Sequence, residues 1–229
     1  MKIGIIGSGQ VAQTLGAKLL DLGHEVMVSS RDLNAKKDLS ELGTLPSANS
    51  WKENHVSMGH KAKAGNFSEA AEFGEIIFNC TTGSGSLDAL SSAGEENLRG
   101  KILIDLANPL DFSKGMPPSL FVCNDDSLGE QIQREFKETK VVKTLNTVNA
   151  NVMVNPSIVS GDHCIFMAGN DSESKKWVKD HLLTDWFGWK NIIDLGDITA
   201  SRGMEMYLPL WLRLLNTLKT PNFNIQIVK

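Results

Sequence analysis

The run Gly7-Ser8-Gly9-Gln10-Val11-Ala12 is a G-x-G-x-x-A fingerprint directly behind the apolar stretch Lys2–Ile6. A first glycine permits a tight turn, a second lets the backbone approach a pyrophosphate, and a small third residue keeps helix and strand close. The helix start that follows offers unpaired N–H groups and a partial positive charge, so Gly7, Ser8, Gly9, Gln10 and Val11 are candidate phosphate contacts. The end of the next strand says which dinucleotide. An acidic residue there would accept from a ribose 2′-OH. Ser29-Ser30-Arg31 stands there instead, with Lys36 a helical turn further on. A hydroxyl, a guanidinium and an ammonium suit a 2′-phosphate, which predicts NADP(H) with Ser30, Arg31 and Lys36 as contacts. The competing reading is a solvated helix start at Arg31 with Asp32 as its cap.

Other strand ends also carry small polar residues. Asn79-Cys80-Thr81-Thr82-Gly83 follows Glu75–Asn79, Asn108-Pro109 follows Lys101–Asp105, and Asn146-Thr147 follows Lys140–Leu145. Ligands of open α/β sheets sit outside the carboxyl ends of strands, so Thr81, Thr82, Asn108, Asn146 and Thr147 are candidates for phosphate, ribose and nicotinamide. Each alone is as readily a turn residue satisfying nearby backbone. Gly83-Ser84-Gly85-Ser86 is out of register with a G-x-S-x-G nucleophile elbow. No Ser/His/Asp, Cys/His, metal-ligating or Lys/Asp constellation is legible near the strand ends, so no catalytic residue and no metal ligand is expected. Cys80 reads as a small buried residue. Losing Cys80, His163 or Lys143 is expected to cost less than the roughly 10²–10⁴-fold typical of a general acid or base. Trp186, Phe187, Trp189 and Trp211 read as core or dimer packing ahead of an acceptor-pocket wall.

Composition narrows the partners. A chain of 229 residues with 41% hydrophobic residues can bury a sizeable core. Its net charge is −4 and no Lys/Arg cluster exceeds a pair, which argues against nucleic acid. Cys80, Cys123 and Cys164 form no CxxC, and the five histidines form no HExxH. Met1-Lys2 runs straight into a strand, leaving no room for a signal peptide, and Met204–Leu215 is too short and too polar to span a bilayer. The expectation is a soluble, reduced, cytoplasmic protein without a membrane partner.

Strand and helix signals alternate, the pattern of parallel βα units. Strands are expected at Lys2–Ile6, Glu25–Ser29, Glu75–Asn79, Lys101–Asp105, Leu120–Cys123, Lys140–Leu145, His163–Ala168 and Asn191–Leu195, with Lys61–Ala64 as a weak extra. Helices are expected from Val11 to Leu22 before Gly23, over Glu69–Phe73 behind an Asn66 cap, over Ser172–Leu183 and along Ser201–Lys219. Leu39–Gly59 reads as loop or frayed helix. The predicted fold is a Rossmann-type, doubly wound, mostly parallel α/β sheet. It divides into a dinucleotide domain over 1–150 and a small C-terminal α/β extension over 151–229 for acceptor binding and dimerisation.

The fingerprint, Ser30-Arg31, the run Val141–Thr147, Gly169–Lys176 and Ser201-Arg202…Glu205…Pro209-Leu210 together resemble the NADPH-dependent coenzyme F420 reductase family, and are similar to the STEAP reductase domain. The resemblance covers essentially the whole chain. It implies hydride exchange between NADPH and a deazaflavin (F420) or flavin, and a homodimer. It also implies phosphate binding by Gly7–Val11, Ser30, Arg31 and Lys36, with Thr81, Thr82, Asn108 and Thr147 nearer the nicotinamide. The chain departs from the family pattern at Asn146, where archaeal deazaflavin reductases carry His, so both ring types stay open as acceptor. Two other readings share the N-terminal half: a non-catalytic NADPH-sensing module, and an NADP-dependent hydroxyacid or imine reductase. The second needs an acid/base residue and a long helical second domain, unlike the short, partly strand-like remainder here. Ser201–Lys219, with its wide apolar stripe, is the expected dimer element.

Overall fold

The computed structural model describes residues 1–38 and 44–229. β1 (Lys2–Ile6) turns through Gly7–Gly9 into α1 (Gln10–Asp21), followed by β2 (Glu25–Ser29). A short antiparallel pair, β3 (Lys37–Asp38) and β4 (Thr44–Leu45), precedes α2 (Ala48–Ser57) and β5 (Ala62–Gly65). Then come α3 (Phe67–Phe73), β6 (Ile76–Asn79), α4 (Ser86–Ala93), α5 (Glu95–Leu98) and β7 (Ile102–Asp105). A second small antiparallel pair, β8 (Leu110–Asp111) and β9 (Ser119–Leu120), leads to α6 (Leu128–Glu135), β10 (Lys140–Thr144) and α7 (Ala150–Val154). The chain ends with β11 (Cys164–Gly169), α8 (Ser172–Trp177), β12 (Asn191–Asp194), α9 (Ser201–Met206) and α10 (Leu208–Leu218).

The main sheet has eight strands in the order β12-β11-β10-β7-β6-β1-β2-β5. From β5 to β10 all pairings are parallel, and β11 joins β10 antiparallel. This is the doubly wound Rossmann architecture, with the strand order reversing beside β1. Parallel strands covered on both faces must be apolar throughout. Ile3, Ile5, Ile6, Ile77, Phe78, Leu103, Ile104, Val141 and Val142 are accordingly buried in two cores, one on each side of the sheet. Among the described residues no helix is long and apolar enough to cross a membrane.

Most expected elements form within a residue or two of their predicted ends, and the weak strand at Lys61–Ala64 is the sheet edge β5. Three expectations fail for identifiable reasons. Leu120–Cys123 is not a main-sheet strand: β10 fills the slot beside β7, and Ser119–Leu120 pairs instead with Leu110–Asp111. Within Leu39–Gly59, residues 39–43 lie outside the described residues, but Ala48–Ser57 is a helix. The Ser47 side chain caps it, accepting from the Ser50 N–H, and Trp51 packs against α1 where Gly16 leaves room. No helix starts at Arg31: the Asp32 carboxylate accepts from the Asn34 N–H in a tight turn, so Lys36 does not follow one helical turn later. The helices α4, α5 and α6 fall outside the expected elements, although α6 buries Leu128 and Ile132 at helical spacing behind a Ser127 cap, a signal the sequence did carry. The Ser172 helix continues past Trp177 in wider π turns to Trp186.

Candidate functional site

Strand register aligns the loops. Ser29, Ile6, Asn79, Asp105 and Lys143 are direct partners across β2, β1, β6, β7 and β10. The residues that follow them therefore leave the sheet at one level, and this level holds most of the expected site. Gly7 adopts φ +121°, and a Cβ there would stand 2.7 Å from the Cys80 carbonyl oxygen. The β1–α1 turn thus rests directly on the chain leaving β6. At Gly9 the backbone enters α1 with no side-chain cap and no acidic residue in the first turn, which leaves N–H groups free for an anion. Gln13 is buried and its amide donates to Ser8 O at 3.1 Å and Pro46 O at 2.8 Å, pinning the turn to the approach to α2.

Gly7, Gly9 and Val11 are half-buried, Ser8 is buried and Gln10 is exposed. Ser30 is half-buried with its N–H donating to Gly65 O, and Arg31 and Lys36 are exposed. Thr81 is half-buried: its hydroxyl donates to Asn79 Oδ1 at 2.7 Å and lies 2.6 Å from Ser86 Oγ. Thr82 is exposed beside it. Asn108 and Asn146 face each other in a reciprocal pair, Asn146 Nδ2 donating to Asn108 Oδ1 and Asn108 Nδ2 to the Asn146 backbone oxygen, both at 2.9 Å. Asn146 Oδ1 is buried without a donor. Leu145 before it holds φ +63°, a left-handed conformation that costs a non-glycine residue about 1–2 kcal/mol. Thr147 is buried.

Sequence reasoning missed what lies behind this row. Lys143 is fully buried, with Nζ 2.8 Å from Asp105 Oδ2 and 2.8 Å from Glu205 Oε1, and it also donates to the Ala107 carbonyl. Asp105 Oδ1 accepts from Asn79 Nδ2 at 2.8 Å and from the Ala107 N–H. Glu205 accepts from the Leu128 and Gly129 N–H groups, capping α6 from 76 residues away. The expectation of no Lys/Asp constellation near the strand ends is therefore corrected. Burial pushes the Lys143 ammonium down, but the two carboxylates outweigh that and leave it above its ordinary value. Its position is structural: all three charges are enclosed and hydrogen-bonded. A charged residue inside the buried run Val141–Leu145 was the available signal. Burial, and then the Asp105 carboxylate, push the half-buried Cys80 thiol well up, so it stays protonated.

Next to this row opens a cleft of about 620 Å³ lined by Gly83, Leu110, Phe112, Phe121, Leu128 and Gln131 among others. Gly83 joins it to the strand ends, since a Cβ there would lie 2.0 Å from the Asn108 oxygen. None of Trp186, Phe187, Trp189 and Trp211 lines it: Phe187 and Trp189 are buried and Trp186 packs on the same core, in keeping with the core-packing expectation, and Trp211 stacks on Phe223. Among the described residues no cluster of three or more His, Cys, Asp or Glu is placed to hold a metal.

A doubly wound sheet with a glycine turn, an uncapped helix start and polar strand ends at its switch point defines a dinucleotide-binding α/β protein. Residues 2–109 match the profile of the family described as NADP oxidoreductase, coenzyme F420-dependent. A crystal structure from Arthrobacter sp. FB24, provisionally assigned as an F420-dependent NADP-reductase, is 47% identical and covers 100% of both chains with a TM-score of 0.89. The F420-dependent NADP reductase of Methanocaldococcus jannaschii is 29% identical across 99% of this chain and 98% of its own. The metalloreductase STEAP3 of Rattus norvegicus is 28% identical across 96% of this chain but only 38% of its own length. The chain belongs to the coenzyme F420-dependent NADP oxidoreductase family and is an NADP-dependent oxidoreductase.

Proposed function

We propose that this cytoplasmic enzyme moves hydride between NADPH and a deazaflavin (F420) or flavin-type ring. The observation that carries the reading is the aligned strand-end row, open at one end on the uncapped α1 and at the other on the apolar cleft. The residues present fit the dinucleotide. Gly7 permits the turn, the free N–H groups of α1 suit the pyrophosphate, and Arg31, Lys36 and Ser30 suit the 2′-phosphate. Asn146 Oδ1 is an unpaired acceptor that a carboxamide N–H would satisfy. Thr81, Thr82, Asn108 and Thr147 complete the nicotinamide end.

Bound NADPH supplies a hydride from C4, and the acceptor ring takes it together with a proton from water. The protein's part is orientation and exclusion of water, since reacting atoms must approach to roughly 3–3.5 Å. Asn108 and Asn146 lock each other in place, and the Asp105–Lys143–Glu205 cluster holds β7, β10, α6 and α9 together behind them. No side chain need accept or donate a proton.

The reading extends to a homodimer. In α10 only Leu208 is buried, while Leu210 and Leu218 are 55% and 50% exposed and Trp211, Leu212, Leu214 and Leu215 stay partly open. A second copy would cover that face.

Following absorbance at 340 nm with NADPH and a panel of F420, FMN, FAD and riboflavin tests the proposal. Oxidation by at least one ring is expected, with NADH far slower. Turnover of a carbonyl or imine substrate, with none of the rings reduced, would overturn it.

A further inference from the structure

The two phosphate turns of the dinucleotide end follow different strands, and one helix is bonded to both. Gly7, Ser8 and Gly9 follow β1, whereas Ser30, Arg31 and Lys36 follow β2. Arg31, Asp32, Asn34 and Lys36 are exposed, so burial fixes little of the second turn. Within it the Asn34 N–H donates to the Asp32 carboxylate at 2.9 Å, and Leu33 packs against the core. α2 then reaches it twice. The Asn49 N–H donates to the Leu33 carbonyl at 3.0 Å, and Asn49 Nδ2 donates to Asn34 Oδ1 at 2.9 Å. Lys52, one turn along α2, donates to Asn49 Oδ1 at 3.4 Å, which favours the amide orientation that turns Nδ2 toward Asn34.

The same stretch of chain reaches the glycine turn. Gln13 is buried, and its amide nitrogen donates to Ser8 O at 3.1 Å and to Pro46 O at 2.8 Å. An amide nitrogen carries two hydrogens, so both are spent on this bridge. α2 is not free to drift with the exposed loop. Ser47 caps its first turn, Ala48 is buried, and the buried Trp51 is seated on α1 at Gly16. Pro46–Asn49 therefore stands between the two turns, bonded to each, on a helix that is itself packed on α1.

We infer that Pro46–Asn49 is a strap that sets the place of the 2′-phosphate loop relative to the glycine turn, with Asn49 and Gln13 as positioning residues for the choice of nucleotide. The inference rests on the reading of Ser30, Arg31 and Lys36 as the 2′-phosphate contacts. A loop that closes on a phosphate gives up conformational freedom, and one already held in place gives up less. Asn49, through Asn34, thus contributes to the preference for a 2′-phosphate without touching the nucleotide. Gln13, through Ser8, contributes to the affinity for NADPH and NADH alike.

Asn49→Ala removes the side-chain bond to Asn34, keeps the Asn49 N–H, and places a good helix former in α2. Calorimetric titration with NADPH, NADH and 2′,5′-ADP reads its effect. NADPH and 2′,5′-ADP should each bind about fivefold weaker, the size of one net hydrogen bond, with NADH and the thermal midpoint almost unchanged. Asn34→Ala should do the same, and the double variant should be no worse than either single, since all three lack the same bond. Gln13→Met, close in volume, should instead weaken NADPH and NADH together and leave their ratio as in the parent. Where Gln13→Met does not fold, the two asparagine variants carry the test. An Asn49→Ala protein that weakens NADH as much as NADPH or changes neither, additive losses in the double variant, or a Gln13→Met effect confined to NADPH would each overturn the inference. If the parent prefers NADPH in those cases, the 2′-phosphate reading survives. A parent that binds NADPH and NADH equally loses that reading and the strap with it.

Discussion

Lys143→Met removes an ammonium while keeping most of the side chain's volume, and so isolates the charge at the centre of the strand-end architecture. Asp105 and Glu205 each lie 2.8 Å from Nζ, with side-chain exposures of 0% and 2%. Without the ammonium they face one another with no cation. Their other donors, Asn79 and the Ala107 N–H on one side and the Leu128 and Gly129 N–H groups on the other, hold each carboxylate but neutralise neither. Breaking a buried ion pair by removing one partner costs about 3–5 kcal/mol. At roughly 2–4 °C per kcal/mol for a chain of this size, the thermal midpoint should fall by about 6–20 °C. Because the Lys143 ammonium sits above its ordinary value, the part of this contribution that rests on its charge is lost as pH rises above about 10.4. Tryptophan fluorescence during heating and urea titration at neutral pH measures the loss. The triple change Asp105→Asn, Lys143→Met, Glu205→Gln removes every charge, and should recover at least half of it. A single variant within about 1 kcal/mol of the parent, or a triple variant no better than the single, would refute the reasoning. Any fall in turnover of Lys143→Ala then reports lost structure, not a lost acid or base.

Arg31→Ala should weaken NADPH binding by about tenfold to a hundredfold and leave NADH almost unchanged, since charge-assisted phosphate contacts contribute about 1.5–3 kcal/mol. Fluorescence titration with both nucleotides checks it, and equal affinities in the parent would contradict it. Gly7→Ala places a Cβ 2.7 Å from the Cys80 oxygen at φ +121°, so both stability and NADPH affinity should drop. An unchanged thermal midpoint would count against the tight turn. Arg202→Met should lower stability only modestly at pH 7, because the guanidinium is 35% exposed and its pairing with Glu130 is screened by solvent. Hydrogen bonds from Arg202 hold the Glu130 carboxyl below its ordinary value, so that contribution is present above about pH 4.3. It fades as pH falls further, and parent and variant should converge in acid. Leu210→Glu should turn a dimer into a monomer by light scattering at tens of micromolar, whereas a monomeric parent would remove the case for the α10 interface.

The N-terminal half was the most legible because local chemistry and tertiary position agree there. Lys2–Ile6, the glycine turn and Glu25–Ser29 form where read, and the Asn66–Glu69 pair makes the reciprocal cap its residues imply. Leu120–Cys123 misled because a strand-like run says nothing about whether a neighbouring strand is free to pair with it. Ala48–Ser57 was hidden by its polar face, its burial resting mainly on Trp51 and Ala48. The Asp105–Lys143–Glu205 cluster joins residues separated by 38 and 62 positions, and a single sequence carries no signal for such a pairing beyond a misplaced charge. The cleft escaped for a related reason: its walls come from four separate segments, and the tryptophans that drew attention pack elsewhere.

Direct hydride transfer without a protein acid or base is the core of the account, and isotope transfer tests it most directly. Each C4-deuterated epimer of NADPH is incubated with the enzyme and a deazaflavin, and the reduced ring is examined by mass spectrometry. A carbon acceptor retains what it receives, so one epimer should place a single deuterium on the ring and the other none. Deuterium appearing in water, or NADPH consumed without label on the ring, would contradict the account.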